Sequence, residues 1–554
     1  MNRIHITRSA VTLLLLLALG IPSRILAAPQ QKHPLPEWLR CPRFYTEASV
    51  RDAAKAYKPG EITALVRNVA GNNGSALCLG VYRNGEAFFQ SRVAPHAPEL
   101  GQLDYLQEAL AEGNLLGVKI IASINLDTLA REHPLYPECM ARGINGKAWD
   151  LSLAGMKGAG YPCLNNPEYR RYLLSLVEEI FTRYAPDGLS IEGLSPHLCY
   201  CPVCRERYRA QFGKELPVQF AQFGPQRMLP DSSNSGDPDD DRLTHFLNDA
   251  AADLARAITQ AVKRSHPSAV VLYPASRKQN TPGNYDGKLE EIAQDNPSLR
   301  SLWDIGELAD YEAASPVPVL YPIPPRRHTD TEVRTKMWQT LANRAYPNVE
   351  SLQGTAPVFA YLKENAGYYD FARVQPVRFL AFPRSLSNDL IQQHLAPQES
   401  ATAPFLDSDR GMYSALQQAR LPIVTLHRDQ LSESLQGFRV LVLADEAILS
   451  DQQIQDIIRF VREGGGLIAT HETSLYDGQG RRRANFGLAA LFGADYLETL
   501  PGVSTKNATA QSDRVLCFAP ALGIRKPQPA PEAHVLVRPT DASVVGTLRG
   551  TGIP

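Results

Sequence analysis

Glu192 closes the run "DGLSIEG" (Asp187–Gly193), and Cys199, Cys201 and Cys204 follow close behind in "CYCPVC". A carboxylate at the end of a strand can serve as nucleophile, acid or base. Glycoside hydrolysis uses two such groups, roughly 5–5.5 Å apart for retention or roughly 6.5–9.5 Å for inversion. The plainer reading of Glu192 is a salt-bridged structural residue or a hydroxyl-binding group. Asp187 is a different case: "PDG" before a strand is turn chemistry, and its carboxylate is expected to anchor that turn. The spacing C-x-C-x-x-C has metal-ligand character, since three thiols so close can close on one zinc with a fourth ligand from elsewhere. Cys163 is the best fourth ligand and Cys139 the next. Disulfide pairing in an oxidising compartment competes with zinc, and free thiols are the third option. Zinc or disulfide would staple the loop just past Glu192. An all-thiolate zinc has no open position for water, so the metal would be structural and catalysis would need no cofactor.

A partner carboxylate is sought in "SLWDIGELADYEAASPVPVLYP" (Ser301–Pro322). Glu307, in a loop past a glycine, is favoured, with Asp304 next; they stand past and at the end of a strand expected near Ser301–Ile305. Asp310 and Glu312 fit a following helix and solvent, and Glu350 closes another expected strand. Trp149, Tyr273, Trp303 and Tyr321 could stack on sugar faces, because an aromatic ring offers apolar area with a polar edge; each has a core or rim position as its alternative. Arg326, Arg327 and His328 follow "PVPVLYP" and could bind hydroxyls or a carboxylate, against a solvated loop.

These residues need strands to carry them. From about Arg40 to Tyr346 helix and strand patterns alternate. Strands are expected at Ala76–Tyr82, Lys119–Asn125, Asp187–Ile191, Val270–Tyr273, Pro316–Tyr321 and Val349–Leu352. Helices are expected at Asp104–Leu116, Asn166–Tyr184 and Arg242–Arg264. In the second of these, Asn166 can cap, Pro167 fits the first turn, and Leu173, Leu176, Val177, Ile180 and Phe181 fall on one face. Repeated βα units of this length predict a (β/α)8 barrel over residues 40–370, with Glu192 at the strand ends where such barrels do chemistry.

A second unit is expected over residues 377–500. "VRFLAF", "FRVLVLA" and "GLIAT" read as strands, and the helix between the last two opens on a capping box, Ser450 and Gln453. Its stripe is Ile454, Ile457, Ile458 and Val461, and Gly464 can end it in the left-handed region. The β-α-β crossover predicts a parallel, flavodoxin-like sheet. "VLVLADEA" leads to Asp445 and Glu446 with no cysteine beside them, so glutaminase chemistry is not expected. "THETSLYD" (Thr470–Asp477) could line a subunit contact or a neighbour's site, or be a plain surface loop. Residues 501–554 read as the start of a small β-rich region.

Residues 1–28 read as a secretory signal peptide: Arg3 and Arg8, then "VTLLLLLALG", then small residues near Ala27 and Ala28. The apolar run is shorter than the roughly 20 residues a bilayer span requires. A periplasmic or extracellular protein without stable membrane insertion after signal removal is expected. Hydrophobic content of 44% with 21% charged residues predicts packed domains, and a net charge of -1 gives no electrostatic footprint for nucleic acid.

The run "GVKIIASINL…PCLNNPEYRRYLLSLVEEIFTRYAPDGLSIEG…CYCPVCRERYRAQFGKELP" resembles the glycosyl hydrolases grouped as hypothetical glycosyl hydrolase family 6. These are related in layout to glycoside hydrolase family 42 and to the α-L-fucosidases of families 29 and 151. "GFRVLVLADEAILSDQQIQDIIRFVREGGGLIATHETSLYDG" resembles the β-galactosidase trimerisation domain, a glutamine-amidotransferase-like fold. The resemblance implies a barrel glycosidase on an oligomerising, trimer-forming domain, with a carbohydrate substrate. In the fucosidase-like barrels the matching strand-four phrase ends in Asp, the nucleophile; here Glu192 stands there, longer by one C–C bond. In the family 42 arrangement a strand-four Glu is the acid/base, and a cysteine cluster binds zinc. The expectation is a secreted, retaining glycosidase acting on a terminal α-L-fucoside- or β-galactoside-like sugar. Its alternative is a noncatalytic carbohydrate-binding or assembly protein.

Overall fold

The computed structural model describes residues 35–47, 57–149, 159–194, 197–218, 238–275, 287–290, 319–323, 329–371, 373–374, 377–384, 404–427, 431, 435–478, 480–500, 515–518, 528–529, 534–543 and 546–549. The chain divides into two compact units, one ending at Pro376 and one running from Val377.

In the first unit eight parallel strands pair in sequence order: β1 (Phe44–Glu47), β2 (Ala76–Arg83), β3 (Lys119–Asn125), β4 (Gly188–Glu192), β5 (Val270–Ala275), β6 (Gly287–Glu290), β7 (Val319–Ile323) and β8 (Tyr346–Val349). β8 then pairs back with β1, Phe44 opposite Asn348, and the ring closes as a (β/α)8 barrel. The expected strand at Val349–Leu352 lies instead at Tyr346–Val349, so Glu350 follows β8 rather than ending it. β1 and β6 escape sequence reading because "FYTE" and "GKLE", at four residues each, are too short to display a period. β2 is the opposite case: nearly every residue of "ALCLGVYR" is buried, as both faces of a barrel strand are covered.

The helices behave as their caps dictate. α1 (Tyr105–Leu116) starts at Asp104, whose carboxylate accepts from the Gln107 amide at 2.9 Å. α2 (Pro167–Arg183) starts at Asn166, which accepts from the amides of Glu168 and Tyr169, and buries the predicted stripe from Leu173 to Phe181. α3 (Pro202–Phe212) follows the cysteine-rich loop, and α4 (Pro238–Ser265) precedes β5. Asp187 anchors the start of β4 to β3, accepting from Lys119 Nζ at 2.8 Å and the Ile120 amide at 3.0 Å.

The second unit holds a four-stranded parallel sheet of β9 (Leu380–Arg384), β10 (Ile423–His427), β11 (Val440–Leu443) and β12 (Gly466–Ala469). Their spatial order, β10-β9-β11-β12, is that of the flavodoxin-like class. α5 (Asp451–Arg462) joins β11 to β12; it opens on the Ser450–Gln453 capping box and is followed by Gly464 at φ 97. Beyond it Ala494–Leu500 pairs antiparallel with His534–Pro539, and Val515–Phe518 lies between two further strands. Among the described residues no helix is long and apolar enough to cross a membrane. The expected signal segment, residues 1–28, lies outside them.

Candidate active site

The ends of β1 to β4 surround a small cleft at the barrel mouth. Residues two apart on each strand share a face. The lining follows that period: Cys78, Gly80 and Tyr82 on β2, then Ser123 and Asn125 on β3, with Glu192 on β4 and Thr46 on β1. Barrel interiors are usually filled by bulky branched residues. Here the neighbours of Glu192 include glycine, serine and cysteine, and small side chains leave room for the cleft. Arg83 and Glu47 complete its lining.

Glu192 is the last residue of β4 and is 6% exposed. Ser123 Oγ donates to its Oε1 at 2.7 Å. The backbone is held as well, since the Leu126 amide donates to the Glu192 carbonyl at 2.9 Å. Gly193 follows at φ +65, and a Cβ there would stand 2.6 Å from Asp127 Cβ and 2.8 Å from Asn125 Oδ1. Only glycine fits that turn without displacing the β3 loop. Asp127 Oδ1 faces His197 Nε2 at 3.1 Å, and the His197 ring stacks on Tyr161 at 3.8 Å. On the β1 side, Tyr45 OH donates to Glu47 Oε2 at 3.0 Å. Burial, aided by the Glu47 charge, pushes the Tyr45 phenol well up, so it remains a donor.

The loop after Glu192 leads into the cysteines. The sulfurs of Cys163, Cys199, Cys201 and Cys204 all lie within 4.8 Å of one another, and all four residues are buried. Cys163 Sγ is 3.8 Å from Cys201 Sγ and 3.5 Å from Cys204 Sγ. A disulfide needs about 2.05 Å, while zinc–sulfur bonds of about 2.3 Å in a tetrahedron put sulfurs about 3.8 Å apart. The surroundings suit thiolates: amides of Arg142, Cys201 and Cys204 and the Asn165 side-chain amide all donate to sulfur. Cys201 caps the start of α3, and hydrogen bonding from Cys163 first, then from Cys199 and Cys204, drives its thiol strongly down. Cys139 stands outside the group: its thiol donates to Asn166 Oδ1 and is pushed up to about 11, mainly by burial.

The remaining candidates separate. Trp149 packs against the cysteine group, its Nε1 donating to the Leu198 carbonyl at 2.9 Å. Tyr273 is 1% exposed; its hydroxyl meets Thr259 Oγ1 at 3.2 Å and the Ala255 carbonyl, both on α4. Its neighbour Leu272 pairs with Ser190, so Tyr273 points outward to the helices, and the sugar-stacking expectation is corrected to a core role. Tyr321 is corrected likewise. It is 2% exposed and shares its face with Pro347, opposite the Asn348 face that meets Thr46. Trp303, Asp304, Glu307, Arg326 and His328 lie outside the described residues. Ser123, Asn125, Arg83 and Glu47 were missed in the sequence. The alternation of polar residues at the end of "KIIASIN" is the signal that marks the first two.

In the second unit Asp445 stands two residues past β11 at φ 57 and His471 at φ 51, both in the left-handed region. Asp445 Oδ1 takes His471 Nδ1 at 3.2 Å and the Glu472 amide at 3.0 Å. The Thr470 hydroxyl accepts from the Asp445 amide at 3.0 Å. "THETSLYD" is therefore folded into its own domain, with Thr473, Ser474 and Leu475 fully buried, and it is not a plain surface loop.

The chain, a (β/α)8 barrel followed in sequence by a parallel α/β domain, is similar in fold to several solved structures. The α-L-fucosidase isoenzyme 2 from Paenibacillus thiaminolyticus matches 92% of this chain over 74% of its own, with TM-score 0.67 and 15% identity. A catalytic mutant of Gan42B, a GH42 β-galactosidase from G. stearothermophilus, matches 92% over 81% of its own chain, with TM-score 0.65 and 14% identity. The β-galactosidase from Halorubrum lacusprofundi matches 90% over 82%, with TM-score 0.64 and 14% identity. At these identities the likeness is one of fold. No family model matches the sequence, and no curated protein matches it.

Proposed function

We propose that this protein is a secreted glycoside hydrolase that removes a terminal sugar of the α-L-fucoside or β-galactoside kind, with retention. The observation that carries the reading is Glu192, set at the end of barrel strand four in a cleft that Ser123, Asn125, Thr46 and Arg83 also line. The fold shared with an α-L-fucosidase and β-galactosidases supports it. Glu192 supplies one carboxylate, and Glu307 or Asp304 the other. In a retaining reaction one carboxylate attacks the anomeric carbon while the other protonates the departing glycosidic oxygen; the second then takes a proton from the water that cleaves the glycosyl–enzyme bond.

Cys163, Cys199, Cys201 and Cys204 hold a structural zinc in this reading. Its chemistry is that of a closed four-thiolate staple, with no open position for substrate. The second unit serves assembly into a homo-oligomer, a trimer by resemblance, because the strand end where glutaminases place a cysteine carries Asp445 instead. Light scattering on a dilution series, with parallel assays, tests that; a fully active monomer at every concentration excludes it.

The deciding experiment is a panel of aryl glycosides with the purified protein and Glu192→Gln. Hydrolysis of one class, lost in the variant, is the expected result. Sugar binding without turnover on any member would instead establish a noncatalytic carbohydrate-binding protein.

A further inference from the structure

We infer that Ser123 is a positioning residue for Glu192, fixing the rotation of its carboxylate at the barrel mouth; this rests on the assignment of Glu192 as a catalytic carboxylate. Ser123 is 4% exposed, and its hydroxyl donates to Oε1 at 2.7 Å across the β3–β4 seam. The register explains the reach. Asn125 lies directly opposite Glu192, and Ser123 lies opposite Ser190, so the bond runs diagonally up the barrel wall from one inward position to the next.

A glutamate carries three side-chain torsions, and the carboxylate at their end must be held in one orientation to react. The short, buried bond from Ser123 acts directly on that orientation. Its donor sits on a strand rather than a loop, which fixes it more closely than a loop residue would be fixed. The backbone on either side of Glu192 is pinned already, by the Leu126 amide and by the tight Gly193 turn. Ser123 acts on the rotation of the side chain itself. This also gives the longer Glu192 a fixed place where the resembling fucosidase-like barrels carry aspartate.

A positioning role differs from a packing role in its kinetics. Misplacing a reacting group lowers the rate of the chemical step while leaving ground-state binding intact. The test is the set S123A, S123T, E192Q and S123A/E192Q, assayed on the best aryl glycoside. The expected result is a fall in kcat of about tenfold or more for S123A with KM within about twofold. S123T, which restores the hydroxyl, should recover most of the loss. In the E192Q background, the residual rate should be nearly indifferent to S123A, because the two act as a unit. A folded S123A with parental kcat overturns the proposal, as does an S123A loss that S123T deepens while circular dichroism stays native. If S123T does not fold, a KM rise that accounts for the whole S123A defect overturns it. Parental turnover by E192Q removes the assignment of Glu192 itself, an outcome distinct from a silent S123A beside an inactive E192Q.

Discussion

Glu192, at the end of β4, and Asp445, just past the end of β11, occupy like positions. Each is a buried acid at the C-terminal end of a strand in a parallel sheet, where α/β proteins place ligands. Their surroundings separate them. Glu192 accepts from the Ser123 hydroxyl on the neighbouring strand and lines a cleft. Asp445 is enclosed by its own domain: His471, the Glu472 amide and the Thr470 hydroxyl converge on it. Strand-end position alone therefore does not make a site. A site also needs small neighbours that leave space, and an acid not wholly consumed by its own fold. Asp445 and His471 both sit in left-handed backbone conformations that cost non-glycine residues about 1–3 kcal/mol. Their mutual bond offsets part of that cost and locks the loop.

The comparison predicts its largest contrast in turnover. Glu192→Gln should lower kcat by at least about 10²-fold, the range for loss of an acid, base or nucleophile. Asp445→Ala should leave kcat per folded molecule within about twofold. Equal losses in the two variants would erase the distinction drawn between them.

The next contrast is in metal content and stability. The purified protein should carry about one equivalent of zinc by elemental analysis, and Cys201→Ser should release most of it. Such a loss is expected to cost at least about 2 kcal/mol, visible as a Tm drop of about 4 °C or more. Metal-free protein with bridged cysteines by mass spectrometry would assign the group to disulfides instead.

Asp445→Ala should cost less stability than the cysteine change, about 1–2 kcal/mol. It leaves the Glu472 amide and the His471 ring without their acceptor. A parental melting curve would show that the bond contributes nothing.

The smallest effect expected is on pH dependence, and here the units run in opposite directions. Burial pushes His133 in the barrel down to about 4. The unfolded chain takes up that proton more readily, so the His133 contribution is intact above about pH 6.5 and is lost as pH falls toward 4. His471 is raised: burial opposes its charge, but the hydrogen bond and charge of Asp445, with Glu472 nearby, outweigh burial. Its contribution is complete below about pH 6.5 and is lost as pH rises through the folded value. Melting temperatures across pH 4–9 should show H133Q flattening the acid limb and H471Q flattening the neutral-to-alkaline limb. The same limb flattened by both variants would contradict these assignments.

Much of the barrel was legible because its determinants are local. Asn166–Pro167, Asp104, Ser450–Gln453 and Gly464 are caps whose partners lie within four residues. The continuous apolar runs of β2 and β3 announce strands covered on both faces. Glu192 and the cysteine spacing were legible as residue types in a pattern. Even Cys163, distant in sequence, could be chosen because it opens the helix that leads into β4. What the sequence could not supply was direction and company. Tyr273 and Tyr321 carry the right chemistry for sugar stacking, but strand register turns them toward helices, a matter settled only when β5 and β7 pair with their neighbours. Ser123 is an ordinary serine until β3 and β4 align and bring its hydroxyl to Glu192. Asp445 and Glu192 look alike as acids after apolar strands. Only tertiary packing decides that one is enclosed by a folded-back loop and the other is left facing a cleft, because both outcomes depend on groups far away along the chain.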